Sequence, residues 1–135
     1  MSRLHLVVGL AALAFFASTG VYLRLHEPPL SALELGPNVL LRSGHIYLLF
    51  GGLLNVVSSF RGELRRGKGV FRVGSILLLS SPVLLAVGFC LESTGSMLER
   101  PLTKLGVIAA WAGVLLQFIG FTIAAWKAKQ APGTE

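Results

Sequence analysis

Charged positions along the chain fall in clumps, and the apolar stretches between the clumps share a length. Residues 6–23 run for 18 positions without Lys, Arg, Asp, Glu or His. Residues 43–60 run for 18 with His45 as their one ionisable side chain, residues 73–91 for 19, and residues 105–126 for 22. A helix rises about 1.5 Å per residue and a bilayer's hydrocarbon core is about 30 Å thick, so about 20 residues cross it. Backbone polar groups in hydrocarbon must bond within their own segment, which selects helices over open strands. The pattern predicts four helices at about 4–23, 41–60, 72–91 and 104–126, with connections 24–40, 61–71 and 92–103 and a tail 127–135. The expected fold is all-α: one integral-membrane domain, an antiparallel up-down four-helix bundle.

Composition supports that reading. Hydrophobic residues make up 53% of the 135 and charged residues 13%, against about 25% charged in soluble domains. The mean hydropathy is +0.73. Too few polar groups are present to cover a soluble globule, which argues against a disordered chain or a typical soluble enzyme. A single cysteine, Cys90, forms neither an internal disulfide nor a thiolate cluster. Arg3 ahead of an apolar run resembles the start of a signal peptide, but 18 residues is long for such a core, and Phe15 and Phe16 spoil the nearest small-residue cleavage site. The first span reads as a retained helix.

Orientation follows the basic residues in short loops. Arg3, the 61–72 segment and the tail carry eight Lys and Arg; the other two connections carry four. Both termini are expected in the cytoplasm, in a cell inner membrane. The net charge of +6 then reads as topology and attraction to anionic lipid, not as a nucleic-acid surface. Trp126 and Tyr22 suit interfacial anchors. Ser31-x-x-Glu34 and Ser96-x-x-Glu99 both match a helix capping box, a match that this composition also produces by chance.

Lipid tails are as apolar as Leu, so association of these helices needs small residues and polar contacts. The fourth span has Gly106, Ala110, Gly113, Gln117, Gly120 and Ala124 at alternating spacings of four and three. The same spacing gives Gly44, Leu48, Gly51, Asn55 and Ser58 in the second span, and Gly74, Leu78, Ser81, Leu85 and Gly88 in the third. Gly9, Leu13, Phe16 and Gly20 form a weaker line in the first. A period of 3.5 residues implies left-handed packing. Asn55 and Gln117 are expected inside the bundle, bonded to each other, either as structural contacts or as part of a ligand path. In Ser80-Ser81-Pro82, the proline should kink the third helix and free a carbonyl that a serine can satisfy.

Candidate chemistry is sparse. His26, Arg42, His45, Tyr47 and Glu92 lie near one level and could form an outer polar cup, with Glu27, Glu99 and Arg100 close by. His26 with His45 could ligate haem or a metal, although no paired motif supports it, so no cofactor and no metal site are expected. His5 lies at the opposite edge from His45. No nucleophile–base pair and no phosphate-binding loop occurs. Small multidrug exporters share the length and span count, but their first helix needs an embedded glutamate that this chain lacks. Fluoride channels share the size but not the motifs of their third helix. The expected function is therefore a non-catalytic accessory, assembly or scaffolding subunit with a membrane-protein partner or a second copy of itself. The alternatives are small-molecule or ion transport through the cup, or a haem- or quinone-binding redox module.

Overall fold

The computed structural model describes residues 2–25, 35–60, 68–92 and 99–130. Four helices account for 97% of them: α1 (Ser2–Leu25), α2 (Leu35–Ser59), α3 (Lys68–Glu92) and α4 (Pro101–Gln130), with no strand. Each is long and apolar enough to cross a membrane. Each also outruns its apolar stretch. Charge marks where a helix leaves hydrocarbon, whereas backbone bonding continues until a cap or breaker stops it. Pro101 opens α4 at the position where a missing N–H costs nothing. Pro37 lies within the first turn of α2 and is tolerated for the same reason.

The fold is inside-out by the standards of a soluble protein. Among its largest fully buried side chains are Gln117, Asn55, Ser75 and Ser81, alongside Leu48, Leu78 and Leu85. Meanwhile Leu10 is 54% exposed, Ile108 62% and Phe118 60%. Water would reverse that arrangement. In hydrocarbon the outward leucines cost nothing and the polar groups gain by meeting one another.

Successive helices run antiparallel. The helices pair as two hairpins, α1 with α2 and α3 with α4, joined mainly through α2 and α3, while α1 and α4 hardly touch. Each hairpin crosses at a glycine pair. A Cβ on Gly9 would lie 2.9 Å from Gly52 O and 2.8 Å from Val56 N; one on Gly74 would lie 2.9 Å from Gly113 O. At both crossings one backbone lies against the other.

α3 is gripped from both sides by one repeated pattern. Leu40, Gly44, Ile46, Gly51, Leu53 and Leu54 of α2 recur in α4 as Leu102, Gly106, Ile108, Gly113, Leu115 and Leu116, with Arg42 matched by Lys104 and Asn55 by Gln117. From α2, Gly44 meets Phe89 and Gly51 meets Pro82 and Leu85; from α4, Gly106 meets Leu85, Gly113 meets Leu78, and Gly120 meets Phe71. The Ser31–Glu34 and Ser96–Glu99 match lies outside the described residues except for Glu99.

In α2, α3 and α4 the buried positions fall on the expected lines. In α1 they do not: His5, Gly9, Ala12, Thr19 and Leu23 are buried, while Leu13 and Gly20 flank that line and lie against Gly52 and His45 of α2. The expected line shares Gly9 with the buried one but carries bulky Leu13 and Phe16 in its middle, and the face turned inward is set by α2 and α3 together.

Candidate functional site

Three polar clusters sit between the helices. The first lies toward the end of the bundle that carries Arg3, Arg72, Lys127 and Lys129, called here the basic end. His5 Nδ1 is 2.7 Å from Asn55 Oδ1. The Asn55 amide nitrogen donates to Gly51 O at 3.0 Å and to Leu78 O at 2.8 Å. Leu78 O is the carbonyl four residues before Pro82, which has no N–H to give it. Ser81 Oγ also donates to it, at 3.1 Å. The kink-forming proline thus creates an acceptor, and an asparagine from the neighbouring helix uses it. One turn further along α2, Ser58 Oγ donates to Gln117 Oε1 at 3.2 Å, and Gln117 Nε2 donates to Ser75 Oγ at 3.4 Å.

Asn55 and Gln117 therefore do not bond to each other. Both are buried, but Asn55 reaches α1 and α3, and Gln117 reaches α2 and α3. Amides on the matching seams of α2 and α4 approach α3 from opposite flanks, and α3 supplies nearer partners. Substituting Asn55 by Leu should lower stability by about 1–2 kcal/mol, because several bonds of about 0.6 kcal/mol are lost and His5 Nδ1 is orphaned. Equilibrium unfolding in mixed micelles measures this; Leu53→Ala, on the outward face, should change it little.

The second cluster holds His45. Its Nδ1 lies 3.0 Å from Thr19 Oγ1, and its ring stacks on Phe16 with centroids 4.0 Å apart. Thr19 donates its only hydrogen to Phe16 O at 2.9 Å, so His45 must be the donor to Thr19. Gly20 makes room for the ring: a Cβ there would sit 3.2 Å from His45 Cε1.

The third cluster starts α4. The Glu92 carboxylate, only 7% exposed, accepts from Leu102 N at 2.7 Å, Thr103 N at 2.9 Å and Thr103 Oγ1 at 2.7 Å. These are orphan donors of a helix's first turn. A carboxylate at a helix N-terminus also opposes the helix dipole. α4 is thus capped by a side chain of α3. Beside it, Arg100 is 5% exposed; its Nη1 makes long contacts to Leu40 O at 3.5 Å and Ser43 Oγ at 3.4 Å, and its Nη2 lies over Gly44 and Phe89.

Of the described residues expected in the outer cup, Glu92 and Arg100 lie beside each other, and no bond joins His45 to them. His45 is turned to α1, Glu92 to α4, and Arg42 and Tyr47 are exposed. His26 lies outside the described residues. The expectation placed these groups at one level, but equal height says nothing about the direction in which a helix face points. His5 and His45 occupy different levels of the α1–α2 seam, separated by about 15–20 Å for 10–14 residues of helix. Among the described residues no group of three or more His, Cys, Asp or Glu could hold a metal. Two grooves open on the bundle surface between α1 and α3. One of about 400 Å³ runs past Phe15, Thr19, Tyr22 and Cys90; one of about 290 Å³ runs past Val8, Ala12, Pro82 and Ala86. Neither includes a histidine.

Sequence reasoning missed His5 and Thr103. His5 stands on the line that the structure buries, with Gly9, Ala12, Thr19 and Leu23, whereas the spacing of Gly9, Leu13, Phe16 and Gly20 steps back to Leu6. Nothing local marks Thr103, whose role comes from Glu92 at the end of α3. No known family model, curated protein or solved structure matches the chain.

Proposed function

We propose that this chain is a multi-pass protein of a cell inner membrane, with both termini in the cytoplasm, serving as a non-catalytic accessory, assembly or scaffolding subunit. One observation carries the reading. The strongly polar side chains buried in mid-bundle, Asn55, Gln117 and Ser75, are spent holding helix to helix, and the groove past Val8, Ala12, Pro82 and Ala86 is an apolar furrow on the outer surface. A transporter of polar solutes needs polar groups facing a path; a redox module needs ligands that converge. Here Asn55, Gln117 and Ser75 face other helices, while His45 bonds to α1 and Glu92 to α4. The distribution of basic residues supports the orientation, and the outward apolar faces leave wide surface for a membrane-protein partner or a second copy.

The test is the protein mass of particles purified in mild detergent, read with their absorption spectrum. The expected particle exceeds one chain of 14.4 kDa and carries no Soret band. A solitary chain with a stoichiometric chromophore, or one that moves a solute across a vesicle wall, overturns the reading.

A further inference from the structure

We propose that His5 is a buried proton-binding site, and that proton uptake there releases the first turns of α1 from α2.

The argument starts from which nitrogen carries the hydrogen. Asn55 Nδ2 already donates to two carbonyls, Gly51 O and Leu78 O, which fixes the orientation of its amide. The atom facing His5 at 2.7 Å is therefore Oδ1, and an amide oxygen only accepts. His5 must donate from Nδ1. In the neutral ring this leaves the lone pair on Nε2. That nitrogen has no exposed surface and no hydrogen-bond partner, on a residue 2% exposed. It is a basic atom held ready with nothing bound to it.

Room decides the ligand. His5 Nε2 has no accessible surface, and a metal ion or a water molecule would need space beside it. A proton needs none. Once it binds, the imidazolium has two N–H groups and Asn55 takes only one. Among the described residues no carboxylate lies at this end. Among the described residues, α1 brings Arg3, α3 brings Arg72, and α4 brings Lys127 and Lys129, none of them bonded to His5; the near half of α2 has no ionisable group. The described carboxylates, Glu92 and Glu99, lie at the far end. A buried cation without a partner is costly, so the imidazolium favours a state in which its second N–H reaches water.

α1 is built to allow that. Of the described residues before His5, Ser2 is half-buried and Arg3 and Leu4 are exposed, so little of their packing is lost when this end lifts. The Gly9–Gly52 crossing lies one turn further on, where the backbones touch, and it limits the release to the residues before it. The helix end is closed when the ring is neutral and opens as the pH falls, and protons favour whichever state binds them better.

The experiment uses the full chain in lipid nanodiscs. Nitrogen-15 spectra of histidine-labelled protein should show His5 as the Nδ1–H tautomer at high pH and as imidazolium at low pH. Amide exchange of Leu6, Val7 and Val8, corrected for intrinsic chemistry, should rise about tenfold or more between about pH 8 and about pH 5, the range in which histidine changes charge. In His5→Gln, whose amide can still donate to Asn55, the rise should vanish; in His45→Gln it should persist. An Nε2–H tautomer at high pH, pH-independent exchange in the unaltered chain, or an undiminished rise in His5→Gln would each overturn the proposal. The tautomer needs no variant, so the test survives if His5→Gln does not fold.

Discussion

Replacing Gly113 with valine is expected to cost about 3 kcal/mol or more and to separate α3 from α4, at or above the usual range for overpacked sites. A Cβ at Gly113 would sit 2.9 Å from both Gly74 O and Leu78 N and 3.0 Å from Leu78 Cβ. Two of those three atoms are backbone, so no side chain can swing aside. The approach is reciprocal, since a Cβ on Gly74 would meet Gly113 O at 2.9 Å and Gln117 N at 3.0 Å. Relief requires moving one helix bodily, and that movement also stretches the Gln117–Ser75 bond and withdraws Gly106 from Leu85. The close approach gives the helices dispersion contact and weak Cα–H···O bonds that larger residues forfeit. A graded series checks the mechanism by unfolding in mixed micelles. Gly69→Ala, with nothing within 4 Å, should be neutral or slightly stabilising through helix propensity. Gly120→Ala, 3.3 Å from Phe71 Cβ, should fall between. Equal effects at Gly69 and Gly113 would show that helix propensity, not contact, governs these sites.

Glu92→Leu should be comparably damaging, at about 3 kcal/mol, since three hydrogen bonds to a charged group, worth about 1.5–3 kcal/mol each, are lost together and the relief of the carboxylate's own desolvation cost offsets part of that loss. Leu102 N and Thr103 N would become orphan donors in a buried helix start, and Arg100 would lose the neighbouring charge of Glu92. Arg100→Met should cost much less. Two nitrogens of that guanidinium, Nε and Nη2, are buried without partners, so the substitution removes an unfavourable group while the methionine fills its space over Gly44 and Phe89. Deleting one member of a buried charged set leaves the other uncompensated, whereas replacing both with apolar groups is often nearly neutral. Glu92→Leu combined with Arg100→Met should therefore recover part of the loss. Amide exchange at Leu102 and Thr103 reports the cap directly: it should speed up in Glu92→Leu and stay slow in Arg100→Met. Unchanged exchange in Glu92→Leu would remove the cap from the account.

The two substitutions mark different depths of legibility. Gly113 stands on a small-residue line visible in the sequence, because a seven-residue spacing places residues on one helix face whatever that face meets. Glu92 was visible as a charge near a membrane edge and was grouped with His45 and Arg42 on height alone. Its partners are two backbone amides and a hydroxyl on the next helix, and a backbone amide has no sequence signature.

The sequence by itself determined four apolar helices, their antiparallel order and the seams of α2, α3 and α4, because hydrophobic run length and helical period are local properties that solvent acts on directly. Tertiary structure alone decided that Asn55 takes His5 and the carbonyl freed by Pro82 rather than Gln117, that His45 bonds to Thr19 of α1, and that α3 caps α4. A hydrogen bond depends on two groups meeting within about 3 Å. That distance is set by how helices rotate and slide against one another, which no single helix encodes.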